Sequence, residues 1–277
     1  ITAGAAFIVC FLIAMLNHFG GVIAMVLVVA LVAFVIISNN RRFKQKREEE
    51  GVDTLFRQIV RTHDKSMVWE LLSTHVRTTQ GDVLVFTRSA FRHISQGLMH
   101  DNMKELRAAH HEIDEQKGIW KRYRRKEILG MRKIDYMQAV EKNTWFHLGC
   151  NSITQIIYGL KRMLEPCLEH VDNNFNPMPQ AYVDEFIPIC NAVDKFLEET
   201  HRLITSGNFN GVDEVLVEGN AIKSRISQIR HEQQDRIQRD EQNLKIDLLY
   251  LSTLQETQEI ISITRHLLRA SKRFQTQ

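Results

Sequence analysis

Four residues in one short stretch, His110, His111, Asp114 and Glu115, have the types and spacing for metal chemistry. Positions three or four apart share one face of a helix. His110 with Asp114, and His111 with Asp114 or Glu115, can therefore reach one ion from one side. Imidazole and carboxylate together suit zinc, iron or nickel. The same spacing also describes an ordinary solvated helix face, and both readings stand at this level. A second stretch is basic: Lys121, Arg122, Arg124, Arg125 and Lys126, interleaved with Trp120 and Tyr123. Such a run suits lipid headgroups or an acidic partner. It equally suits the outer side of a helix whose inner face is Trp120 and Tyr123. No nucleophile motif, glycine-rich phosphate loop or zinc-hydrolase signature occurs in the sequence, and the remaining histidines are scattered. The expectation is a protein that is not an enzyme and has no certain cofactor beyond a divalent metal at the first stretch.

The elements that carry these residues follow from hydropathy. Val22–Ile37 is an unbroken apolar run, followed at once by Arg41, Arg42, Lys44, Lys46 and Arg47. An uncharged helix of this length falls at the short end of what spans a bilayer core of roughly 30 Å at about 1.5 Å per residue. Ile1–Leu16 is a second apolar segment, separated from the first by Asn17–Gly21. Residues 1–40 are therefore read as a transmembrane hairpin and 41–66 as a basic juxtamembrane linker facing lipid headgroups. The positive-inside bias puts everything beyond Arg41 in the cytoplasm. The chain begins without Met, inside an apolar segment, and reads as part of a longer protein.

The charge is divided just as unevenly. The first forty residues are almost free of charge, and the rest carries nearly all of the 36 Lys and Arg and 33 Asp and Glu. A net charge of +3 is too small to argue for nucleic acid. The four cysteines, at 10, 150, 167 and 190, form no C-x-x-C pair and read as reduced, mostly buried thiols. Four prolines among long polar–apolar periods indicate an all-α chain.

Beyond Met67 the helical stripes come in two sets of three. Leu84, Phe91, Ile94 and Leu98 form the first, ending near Asp101-Asn102. Leu106, Ala109, Ile113, Trp120 and Tyr123 form the second. Phe146, Ile153, Ile156, Leu160 and Leu164 form the third, which is expected to stop at Pro166. Asp172–Pro179 punctuates the chain. Val183, Phe186, Cys190, Val193, Leu197 and Ile204 then make a fourth stripe. Val212, Val215, Gly219, Ile222, Ile226 and Ile229 make a fifth, and Leu244, Leu248, Leu251, Leu254, Ile261 and Leu268 a sixth. A shift of 106 residues superimposes the halves, setting Asn102 on Asn208, Leu106 on Val212, Trp120 on Ile226 and Tyr123 on Ile229, with polar Gln116 opposite Ile222. The domains expected are a first three-helix bundle over 67–166 and a second over 180–275.

Two tandem three-helix repeats resemble the PhoU family, whose members regulate phosphate transport. The resemblance covers about residues 67–274 and is carried by Phe91–Leu106 and its counterpart Phe196–Gly211. Ile113-Asp114-Glu115 stands at the family's usual Ile-Asp pair. It implies an acidic metal-binding motif at His110–Glu115. In the second copy Val217, Asn220 and Ala221 stand where ligands are expected, leaving Glu214 and Glu218. A hairpin, a basic exit and a PhoU-like domain together resemble the C-terminal part of a bacterial inorganic phosphate transporter, most like the PiT-type carriers, with the sodium–phosphate cotransporters second. The Gly-Ala-Asn-Asp type of signature of PiT carriers is absent. The resemblance implies a multi-pass inner-membrane protein with a cytoplasmic regulatory domain. Its partners would be inorganic phosphate and a coupling cation, both bound upstream of Ile1, together with membrane lipid. A homodimer stays open, because helix stripes do not distinguish an intramolecular core from a dimer seam. The competing reading is a membrane-anchored helical signalling protein, against which the proline-rich break at 176–179 argues.

Overall fold

The computed structural model describes residues 54–239 and 244–276, and every element among them is an α-helix. The hairpin expected over 1–40, Cys10, and the basic residues Arg41, Arg42, Lys44, Lys46 and Arg47 lie outside the described residues. Among the described residues no helix is long and apolar enough to cross a membrane. A short helix, α1, covers 54–61. Six long ones follow: α2 (Lys65–Met99), α3 (Met103–Met131), α4 (Tyr136–Asp172), α5 (Gln180–Ser206), α6 (Val212–Arg239) and α7 (Leu244–Gln275).

The helix starts are written in local chemistry. Asp64, Asn102 and Asp135 each sit at an N-cap in extended conformation. Their side chains accept the Ser66, Lys104 and Met137 amides at 2.9, 3.1 and 3.0 Å. Each satisfies a donor that the first turn leaves over. The turn between α2 and α3 is tight because Gly97 lets Leu106 close on it: a Cβ there would lie 2.5 Å from Leu106 Cδ2. Leu106 is itself fully buried and has nowhere to go. Gly97→Ala is expected to destabilise the protein by about 1–2 kcal/mol despite alanine's better helix propensity, because overpacking at a buried contact outweighs it. A urea melt checks the sign.

One stripe ends differently from the sequence reading. α4 does not stop at Pro166 but runs through it to Asp172. Proline removes one backbone donor and crowds the preceding turn, yet Met163, Leu164 and Cys167 are all buried around it, so packing on both sides carries the helix across. In α7 the expected Leu244 and Leu248 face solvent, and the buried face begins instead with Ile246, Asp247, Leu249 and Tyr250. Thr253 and Thr257 continue that inner face because their hydroxyls donate to the Leu249 and Thr253 carbonyls, which satisfies them without water.

The core follows the repeat. Pairs offset by 106 are buried together: Ala90 with Phe196, Phe91 with Leu197, Leu98 with Ile204, Trp120 with Ile226 and Tyr123 with Ile229. In the third helix of each half the offset becomes 104, pairing Phe146 with Tyr250, Ile156 with Ile260 and Leu164 with Leu268. α2, α3 and α4 pack on one another, as do α5, α6 and α7, but the most extensive pairing of all is α4 against α7, and α2 also lies along α5. Both cross-pairs are antiparallel. Arg88 meets Asp194 in mid-seam, while Arg77 lies beside Gly207 at the end of α5. Arg162 meets Glu256, and the buried Lys142 donates to the Arg273 and Thr276 carbonyls at the end of α7. The equivalent helices α2 and α5, and α4 and α7, thus lie antiparallel against each other, an arrangement compatible with a local two-fold relation between the halves. Leu55–Gln277 forms one compact unit, so residues 55–66, read as linker from sequence, belong to the folded body. Ile59 of α1 is buried, and Lys133 Nζ donates to the Ile59 and Val60 carbonyls.

Candidate functional sites

The expected metal ligands lie in the first half of α3 and all point outward. His110 Nδ1 is 3.6 Å from Asp114 Oδ2, and His111 Nδ1 is 3.8 Å from Glu115 Oε2. The helix therefore divides the four residues into two separate i,i+4 pairs, each with two potential ligands. Among the described residues no group of three or more His, Cys, Asp or Glu side chains could hold an ion. In α6, Glu218 is instead paired with Lys195 at 3.5 Å.

The basic run occupies the last third of α3. Trp120 and Tyr123 are its inner face, with Trp120 Nε1 donating to Thr154 Oγ1 at 3.0 Å. Lys121, Arg122 and Arg125 are exposed, and Arg124 and Lys126 are half-buried. Lys126 Nζ lies 5.7 Å from the Phe56 ring centre, a cation–π contact that ties α1 to α3.

Several constellations join residues that no single helix carries. His93 of α2 stands between two carboxylates of α3, with Nδ1 against Glu105 Oε2 and Nε2 3.5 Å from Glu112 Oε1. Ser89 Oγ donates to the same Glu112 oxygen, while Glu112 Oε2 is buried without a hydrogen-bond partner. The signal was available in principle: a hairpin folded at 100–102 sets positions near 93 against positions near 105. Deeper in the first half, Thr79 Oγ1 donates to Glu127 Oε1 at 2.6 Å, and His75 Nδ1 is 3.4 Å from the same oxygen. The position equivalent to Glu127 in the second half is Gln233, also fully buried. Gln233 donates to Tyr182 and Asp247, and Tyr182 donates to Asp247 at 2.6 Å. Burial is the first cause that raises the Tyr250 phenol, and the Glu185 carboxylate beside it adds to the effect.

Between α2 and α5 a cleft of about 360 Å³ is lined by Phe91, Arg92, Ser95, His100, Cys190 and Asp194, among others. Burial pushes the Cys190 and Cys167 thiols up to about 12, and Cys150 higher still, so none of them is a nucleophile at neutral pH. All three are free cysteines, as the sequence suggests. The seam's fixed point is Arg88, whose Nε and Nη2 donate to the two Asp194 oxygens at 3.1 and 2.7 Å. That bidentate hydrogen bond is the first cause that holds the Asp194 carboxyl below the usual carboxylate range. Its folded pKa being lower than the ordinary 3.8, the contribution is complete above that value and disappears as pH falls through the folded value. A double-mutant cycle of Arg88→Ala and Asp194→Ala is expected to give a coupling of about 0.5–1 kcal/mol at neutral pH, limited by solvent screening, and none in strong acid. An unchanged coupling in acid denies the ion pair its role.

Compared with known proteins, the sequence matches no family model and no curated protein.

Proposed function

We propose that the chain belongs to an inorganic phosphate transporter, in which the helical body is a PhoU-like regulatory domain held at the membrane by the apolar sequence over 1–40. The observation that supports this reading is the duplication: two sets of three helices, α2–α4 and α5–α7, each packed together, where the resemblance to PhoU implies two tandem three-helix bundles. Supporting it are the apolar segments and the basic exit in the sequence, and the outward-facing carboxylates and imidazoles of α3. The transported ion and its coupling cation bind elsewhere in the carrier. The body's task is to bind one carrier state better than another and so shift their populations.

The test is uptake of labelled phosphate in cells lacking their own phosphate carriers, comparing the complete coding frame with a version ending at Gly51. Uptake by both, with an altered rate or altered response to phosphate supply in the shortened form, supports a carrier with a regulatory domain. No uptake by a well-expressed, membrane-inserted protein overturns the carrier and moves membrane-anchored signalling to first place. Metal analysis of the purified protein bears separately on His110, His111, Asp114 and Glu115.

A further inference from the structure

One end of the helical body gathers α1, the start of α2, the α3–α4 turn and the end of α7, through the Lys133, Lys65–Asp135 and Lys142 contacts. It is also where the exposed apolar side chains collect. Of the thirteen large apolar residues exposed among the described residues, six are here: Val60, Met67, Leu129, Tyr136, Met137 and Val140. Tyr136 and Met137 are about three-quarters exposed, at 75% and 73%, on the first turn of α4. A single exposed apolar residue is ordinary, but several grouped at one end mark a surface that meets something. Around them stand Arg57, Arg61, Arg132 and Lys133, all exposed, and Lys272 and Arg273 close the last turn of α7. Of the acidic residues here, Asp64 and Asp135 are occupied as helix caps and the exposed Glu141 is paired with Lys142 at 3.0 Å.

We propose that this end rests on an anionic bilayer surface, with Tyr136, Met137 and Val140 inserted among the headgroups and the surrounding arginines and lysines paired to lipid phosphates. The pairing of apolar tips with basic flanks is what an interfacial contact needs. The apolar side chains gain by leaving water, and the cations are drawn to the negative surface. A tyrosine at the tip suits the headgroup level, with an apolar ring and a hydroxyl that stays wet. The proposal rests on the membrane attachment put forward above.

The added-tryptophan experiment separates the two. Of the chain's three tryptophans, Trp69 and Trp145 lie near this same end, against Phe274 and Arg273, so the signal of an added indole is read as the difference from the unmodified protein in the same vesicles. Full-length protein carrying Tyr136→Trp is incorporated into vesicles of phosphatidylglycerol and phosphatidylcholine, with and without brominated acyl chains. Phe175→Trp, at the opposite end of the body, is the control. Tyr136 is mostly exposed, so the substitution leaves the fold intact. The added emission of Tyr136→Trp is expected to shift to the blue and to lose most of its intensity to the bromines. Phosphatidylcholine alone, or Arg132→Glu, should diminish that quenching, and Phe175→Trp should be insensitive. Incorporation without quenching at position 136 overturns the proposal while leaving membrane attachment standing. A blue shift without quenching overturns it in favour of a second copy of the chain covering the patch. Failure of the unmodified chain to enter vesicles overturns both.

Discussion

Phe196→Ala is expected to lower the unfolding free energy by about 3–5 kcal/mol, among the largest losses available from a single truncation in this fold. Phe196 is fully buried on α5, and its ring occupies the space opened by Gly219 of α6, where a Cβ would come within 3.0 Å of the ring edge. Glycine cannot fill what the ring vacates, so a cavity stays behind in addition to the lost transfer energy. Urea denaturation with an unchanged slope should report the loss as a shift in midpoint. A change below about 1 kcal/mol would mean that α5 and α6 close over the gap and that the contact matters little.

Glu127→Ala is the second large effect, expected at about 2–4 kcal/mol, because it strips the acceptor from Thr79 and the carboxylate from the wholly buried His75. Glu127→Gln should cost much less, within about 1 kcal/mol, since the amide oxygen still accepts from Thr79. The protein carries its own control for that substitution: Gln233 fills the equivalent place in the second half and is satisfied there by Tyr182 and Asp247. Equal losses for both variants would show that the negative charge, not the hydrogen bond, is what the first half requires.

The regular core was legible because single-helix periodicity encodes it. The stripes through Leu84 to Leu98, Leu106 to Tyr123 and Val212 to Ile229 are buried as their spacing indicates. The all-α class and the repeat of 106 residues follow from the same information. What spacing could not supply was the behaviour of residues whose environment comes from another helix. Thr253, Thr257 and Thr264 look polar yet lie in the core. Pro166 looks like a stop but sits inside a helix supported by packing. His93, scattered in sequence among the other histidines, finds Glu105 and Glu112 only when α2 folds back on α3. The four proposed metal ligands did share a helix, but adjacent residues diverge by about 100° around its axis. His110 and His111 consequently turn to different carboxylates.

The antiparallel embrace of α4 by α7 also fixes the order in which the polypeptide can finish folding during its synthesis. The first half leaves the ribosome with three complete helices, yet the face of α4 with the most extensive partner must wait for the final helix. At about 5–20 residues per second, the roughly hundred residues between equivalent positions take on the order of 5–20 s to make. Throughout that interval Ile156, Leu160 and Leu164 lack the neighbours that later enclose them. Truncations that remove α7 should therefore aggregate instead of leaving a stable half-molecule.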